Sequence, residues 1–315
     1  MKLLFALLMI NLQTVDQIFQ TLESQIANPQ WIETQAYQDF KKEMYSKETL
    51  ALDEEAFRKK FNQASKQLPF THLYLKSKKK PTESVQDVTR SPAISWTEID
   101  QNTAYLKIQS FSGRAADLIP FLGEIGVDRY DNLIIDLQGN TGGALEIPIV
   151  LGQFLTNQSI DGGCYLTRAW FETFQRNASR EEIQDMPYLQ DFSYEGITKM
   201  YAESKAFRMV IPGHNRPVFQ GNVYVLQDDQ TASAGEPLLD LIQRENIGIL
   251  LGETSNGAML SGYFFPIGED YELFLPIADY QNALGNRLDK VGVRPDVETV
   301  NPLSKALELI KISKV

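Results

Sequence analysis

Cysteine and histidine are almost missing from this chain of 315 residues: Cys164 is the only thiol, and His72 and His214 the only imidazoles. One thiol closes no internal disulfide, so the fold must be held by its core. A zinc centre would have to be mostly carboxylate, which sets aside the usual Cys/His sites, and no metal or cofactor is expected. The scarcity also narrows the chemistry, because a reaction that needs an imidazole base has only two to draw on. Basic residues are short too. With 30 Lys and Arg against 41 Asp and Glu the net charge is -11, so phosphate backbones are poor partners and nucleic acid is excluded. No apolar run is long enough to cross a bilayer as a helix. Neither Gly-Lys-Ser/Thr nor Gly-x-Gly-x-x-Gly occurs as a phosphate or dinucleotide loop, and there is no internal repeat.

What is present begins with Lys2 and the short apolar stretch Leu3 to Ile10, the charge and h-region of a secretory leader. Residues 1–14 are therefore expected to be a signal peptide, and the protein to be exported to a periplasm, cell surface or medium. A hydrophobic content of 43% suffices for one large domain and a smaller one. Val15, Ile18, Phe19, Leu22 and Ile26 recur at helical spacing behind a capping-box pattern at Thr14 and Gln17. A second helix is predicted from an Asp53 N-cap, with Phe57, Phe61 and Ala64 on one face, ending before Pro69. A small helical domain over 15–80 is expected, and a linker over 81–95.

From 96 to 315 the pattern is α/β. Strands are predicted around Ala104 to Ile108, Leu133 to Ile135, Val223 to Leu226, Ile247 to Leu251 and Tyr271 to Pro276, separated by amphipathic runs. Between Asp161 and Pro217 no period is legible, so an irregular excursion beside the core is predicted there.

Two stretches carry chemical signals. A Gly-rich turn, Asp136-Leu137-Gln138-Gly139-Asn140-Thr141-Gly142-Gly143, follows a buried strand. Gly142 and Gly143 can expose backbone N–H groups and permit close approach, as an oxyanion hole requires. The second, Thr231-Ala232-Ser233-Ala234-Gly235-Glu236, lies between a strand and an amphipathic helix and places Ser233 in the helix's first turn. Free N–H groups and the helix dipole favour a developing oxyanion there. The plainer reading of that hexapeptide is a Ser/Thr cap ahead of Glu236.

Together with Gly292-Val293-Arg294-Pro295-Asp296, these stretches resemble, in order, the three motif blocks of the serine peptidases that include the carboxyl-terminal processing (tail-specific) proteases and the tricorn protease core. The resemblance covers roughly Trp96 onward and implies an α/β fold with a Clp-protease/crotonase-like core and a small N-terminal helical domain. It implies Ser233 as nucleophile, with the amides of Ala234 and of Gly142 or Gly143 holding the oxyanion. Where the tail-specific branch has its lysine base, this chain has Ala258. The histidine of the tricorn-like branch corresponds to His72, with Thr71, the hydroxyl residue before it, hydrogen-bonding near the serine. The carboxylate that orients the histidine corresponds to Asp289, with Glu253, Asp270 and Glu272 as alternatives. The PDZ module that many relatives carry has no room between Pro81 and Ser95. The substrate would be a peptide or protein. A ligand-holding protein on the same scaffold is the other expectation, and an enzyme using a distant lysine such as Lys290 is a third.

Overall fold

The computed structural model describes residues 2–78 and 93–313, with side chains from residue 8 onward, so most of the linker expected over 81–95 lies outside the described residues. Among the described residues there are eleven strands in chain order: β1 (Tyr74–Ser77), β2 (Ile94–Asp100), β3 (Thr103–Ile108), β4 (Asn132–Asp136), β5 (Ile160–Thr167), β6 (Ala206–Ile211), β7 (Asn222–Gln227), β8 (Ile249–Gly252), β9 (Leu260–Ile267), β10 (Tyr271–Gln281) and β11 (Val297–Glu298). One sheet runs β11-β8-β7-β4-β3-β2 and is parallel except for β2. The other runs β1-β10-β5-β6, with β9 also on β10, and is antiparallel.

The parallel sheet is built from short apolar runs because both of its faces are covered. Leu133, Ile135, Val223, Val225 and Leu250 bury into the main core on one face. Ile134, Tyr224, Leu226 and Leu251 meet Ala306 and Ile310 of the C-terminal helix, Pro302–Ile312, on the other. Each such side chain contributes about 1.5–3 kcal/mol of burial. Asp136 ends β4 opposite Leu226 of β7, so the Gly-rich turn and the Ser233 stretch leave the sheet side by side at its carboxyl edge, where open α/β sheets hold their ligands.

The leading region is helical. Asp53 caps the helix Glu54–Ala64 by accepting from the Ala56 amide at 2.9 Å. The expected cap at Thr14 is not formed. The first helix runs unbroken from Lys2 to Gln25, and the Thr14 hydroxyl donates back to the Ile10 carbonyl at 3.0 Å, as a Ser/Thr side chain inside a helix does. Phe19, Leu22, Phe57, Phe61 and Phe70 share one core with Leu260, Leu273 and Leu275 of β9 and β10. Among the described residues no helix is long and apolar enough to cross a membrane.

The stretch 161–217 is more regular than its sequence suggests. It holds β5, β6 and the helices Arg168–Phe174, Arg180–Asp185 and Tyr194–Glu203. Seven of the eight β5 residues are fully buried, which erases alternation, and two of them are the glycines Gly162 and Gly163. β9 was hidden for the opposite reason: it holds Tyr263 and Phe264 exposed and contains Gly262 and Pro266.

Candidate active site

Ser233 stands just ahead of the helix Gly235–Arg244 rather than inside its first turn, with left-handed backbone (φ 54). Such a conformation costs a non-glycine residue about 1–3 kcal/mol and persists only when its surroundings fix it. They do so here. The Ser233 amide donates to the Ala258 carbonyl at 3.1 Å and to Glu236 Oε2 at 3.2 Å. Among the described residues the Ser233 hydroxyl has no hydrogen-bond partner and caps nothing, so the plain helix-cap reading does not describe it.

Glu236 is the residue whose importance the sequence concealed. It is wholly buried, and its carboxylate also accepts from the Ser255 hydroxyl (2.6 Å) and the amides of Gly257 (2.7 Å) and Ala258 (2.9 Å). Burial pushes its carboxyl up to about 7, against the pull of these four donors. The Gly292–Asp296 block buttresses the same loop: the Val293 amide donates to Ser255 Oγ at 2.7 Å, and the Ser255 amide donates to the Val293 carbonyl at 3.1 Å.

The Gly-rich turn packs directly on the serine. A Cβ at Gly142 would lie 2.6 Å from the Ser233 Cβ, and one at Gly143 would lie 2.3 Å from the Phe111 carbonyl carbon. Both glycines have positive φ, 92 and 146. The two amides differ in use. That of Gly142 donates to Asn140 Oδ1 at 2.8 Å and is therefore spent, which corrects the expectation that it could serve an oxyanion. The amides of Gly143 and Ala234 have no acceptor among the described residues.

His72 reaches this place from the leading region. Its backbone is also left-handed (φ 62), at the bend that leads into β1, and its ring lies 5.8 Å from that of Phe274. His72, Gly143, Ser233, Ala258 and Phe274 line one open cleft of about 750 Å³. Among the described residues no hydrogen bond joins the imidazole to the Ser233 hydroxyl. Burial lowers His72 from the ordinary 6.5 to about 4, so the ring is neutral at pH 7.

Asp289 does not touch the imidazole; Thr71 stands between them. The Thr71 hydroxyl donates a short hydrogen bond to Asp289 Oδ1 and lies 2.8 Å from His72 Nδ1. A hydroxyl has one proton, so with that proton on Asp289 the Thr71 oxygen must accept from Nδ1–H. Nε2 is then left as the lone-pair nitrogen. Asp289 further accepts from the Thr71 amide (3.1 Å), the Met259 amide (3.2 Å) and Arg287 Nη2 (3.0 Å). Burial raises its carboxyl, while the Thr71 hydroxyl and Arg287 pull it back.

The other candidates lie elsewhere. Glu272 pairs with Lys76 at 3.8 Å, Glu253 is exposed, and Asp270 sits in the turn between β9 and β10. Lys290 Nζ donates to the Lys66 carbonyl at 3.1 Å. His214 uses both ring nitrogens locally, against the Gln153 carbonyl (2.7 Å) and the Arg216 amide (3.1 Å). Among the described residues no cluster of metal-ligating side chains occurs.

Comparison with known proteins gives this arrangement a family. The chain is 23% identical over 197 residues to a carboxyl-terminal-processing protease of Picosynechococcus sp., covering 62% of this chain and 39% of that protein. It is 27% identical over 220 residues to the nisin-resistance protein of Lactococcus lactis subsp. lactis, covering 68% of this chain and 62% of that one. It thus spans less than two thirds of the length of either relative. The structure of a lipoprotein from Streptococcus agalactiae superposes with a TM-score of 0.62 over 96% of both chains at 15% identity, a likeness of fold that includes the leading helical part. The α/β class with a Clp-protease-like core and N-terminal helices agrees with the expectation from sequence. The model of peptidase family S41 matches residues 102–299, more than half of the chain and the whole stretch from the Gly-rich turn to the closing Gly-Val-Arg-Pro-Asp block, and the chain belongs to that family.

Proposed function

We propose that the protein is a serine peptidase that cleaves peptide bonds in peptide or protein substrates through an acyl-enzyme. Ser233 attacks the scissile carbonyl, and the amides of Gly143 and Ala234 receive the oxyanion. His72 Nε2 takes the hydroxyl proton and returns it to the leaving amine. Thr71 and Asp289 hold the imidazole in the tautomer this requires. A serine hydroxyl is too weakly acidic to attack an amide unaided, whereas a neutral imidazole whose other nitrogen is held as a donor accepts its proton. The observation that carries the reading is the Asp289–Thr71–His72 chain of hydrogen bonds opening on the cleft that Ser233, with its hydroxyl free, and Gly143 also line, the amides of Gly143 and Ala234 being unengaged. The Lys2-led apolar stretch supports export as the setting of this activity.

The test is covalent. A fluorophosphonate should label the protein stoichiometrically, and peptide mapping should place the adduct on Ser233; no adduct, or one elsewhere, leaves a ligand-holding role on the same scaffold. The pH dependence has a definite sign. The base acts in its neutral form, which persists down to about 4 because burial depresses His72, so the acid limb of the labelling rate should lie well below the 6.5 of an ordinary histidine. A limb at 6.5 would mean a solvated imidazole.

Gly143 offers a further check. The atoms that a Cβ would meet there are backbone atoms of Phe111 and Ser112, at 2.3 and 2.5 Å, which cannot turn away. Gly143→Ala should shift the oxyanion amide and lower kcat by about 10²–10³, the cost of one lost donor. Gly139→Ala, also at positive φ but with no atom within 4 Å of the new Cβ, controls for backbone strain alone.

A further inference from the structure

Arg287 joins more partners around the site than any residue the reaction itself uses. Its Nε meets both oxygens of Asp279 at 3.0 Å, its Nη2 meets Asp289 Oδ2 at 3.0 Å, and its Nη1 donates to the Pro69 carbonyl at 3.2 Å. The guanidinium carbon lies 4.9 Å from the centre of the Trp31 ring, which in turn stacks on Phe70 at 4.8 Å. Phe70, Thr71 and His72 are consecutive. One side chain therefore grips two buried carboxylates of the α/β body and, on its other faces, the segment of the helical region that delivers the imidazole.

We propose that Arg287 is a positioning residue that sets the direction of the Asp289–Thr71–His72 hydrogen bonds and makes it depend on the docking of the helical region. The proposal rests on the peptidase reading for its kinetic consequence, and on geometry alone for its structural one. Asp279 and Asp289 have side chains 2% and 0% exposed, and two carboxylates so placed stay ionised only with a cation between them. The groups that face Asp289 are Arg287, Asp279, Lys290 and the Thr71 hydroxyl; Lys290 spends its ammonium on the Lys66 carbonyl, which leaves Arg287 as the cation in contact. A guanidinium suits the task because its fork binds carboxylates while its face stacks on an indole, which an ammonium cannot do at once.

Without Arg287, a proton binds Asp289. Protonated Asp289 donates to Thr71 instead of accepting from it. The Thr71 proton then turns to His72 Nδ1, the ring proton moves to Nε2, and the nitrogen facing the cleft can no longer accept from Ser233. No bond of the substrate is involved, so the change is one of proton placement only.

Arg287→Met in the full chain tests this by two readouts. In ¹⁵N spectra of the imidazole at pH 7, the parent protein should show the Nδ1–H tautomer and Arg287→Met the Nε2–H tautomer, whether or not the protein is a peptidase. The labelling rate of Arg287→Met should fall roughly 10²-fold at pH 6, less than the 10⁴ of a fully misplaced tautomer, and recover as rising pH ionises Asp289. Trp31→Leu should move the same acid limb upward by a smaller amount, and Arg287→Lys should restore part of the loss. An unchanged tautomer in a folded Arg287→Met protein, or a loss equal at every pH, would overturn the proposal. A parent protein with the Nδ1–H tautomer that takes no label would overturn the peptidase reading and leave this one standing.

Discussion

Ser233→Ala and His72→Ala are each expected to lower kcat on a fluorogenic peptide by on the order of 10⁶, and the double substitution by no more than either alone. In the proposed reaction nucleophile and base act in one step, so removing the second costs nothing once the first is gone, and what remains is the rate supplied by binding and the oxyanion amides. The scarcity of histidine makes the experiment clean. His214 is engaged at both ring nitrogens by the chain around Gln153 and Arg216, and His214→Ala should leave kcat within twofold. Lys290→Met should behave likewise, because its ammonium is tied to the Lys66 carbonyl. Multiplicative losses in the double variant would mean that Ser233 and His72 work independently. Loss in Lys290→Met with His72→Ala active would move the base to the lysine.

Much of this site was legible because its chemistry is local in sequence. Ser233 lies between a strand and a helix whose patterns are plain, and Gly142 and Gly143 announce a backbone that L-residues with side chains do not adopt. His72 was reached through resemblance and through the lack of other imidazoles. What could not be read was whatever depends on which way a hydrogen points. That Gly142 N–H is spent on Asn140, leaving Gly143 as the free donor, follows from a turn geometry no spacing encodes. That Asp289 bonds to Thr71 instead of touching the ring depends on a bend at His72 joining segments 218 positions apart. In the fold, β5 escaped because burial of nearly all its residues removes the alternation on which strand recognition rests, and β9 because its exposed aromatics break it. The predicted cap at Thr14 failed because an apolar run ahead of it let the helix continue, and a capping residue inside a helix bonds to the preceding turn.

Glu236 is the second residue whose replacement should be severe, through the fold of the site and not through the reaction. Four donors converge on one buried carboxylate: Ser255 Oγ and Gly257 N on Oε1, Ala258 N and Ser233 N on Oε2. Glu236→Ala would leave the loop donors without an acceptor in a site water reaches poorly, at about 1–3 kcal/mol for each group left unpaired. The sum, reduced by relaxation of the loop, should be roughly 3–5 kcal/mol, visible as a fall in Tm on the order of 10 °C. The amide of Ser233, at its left-handed backbone, is held by the Ala258 carbonyl and this carboxylate, and the Ala258 carbonyl belongs to the loop that would loosen. The hydroxyl should therefore leave its place in the cleft that Ser233 and Gly143 line, and fluorophosphonate labelling should drop even at temperatures where the chain remains folded. Glu236→Gln separates the two effects. It keeps the volume and one acceptor oxygen but turns an NH₂ toward donors, so its Tm should fall by less than half as much while labelling still falls at least tenfold. Labelling that survives in Glu236→Gln at the parent rate would show that the loop positions Ser233 without this carboxylate.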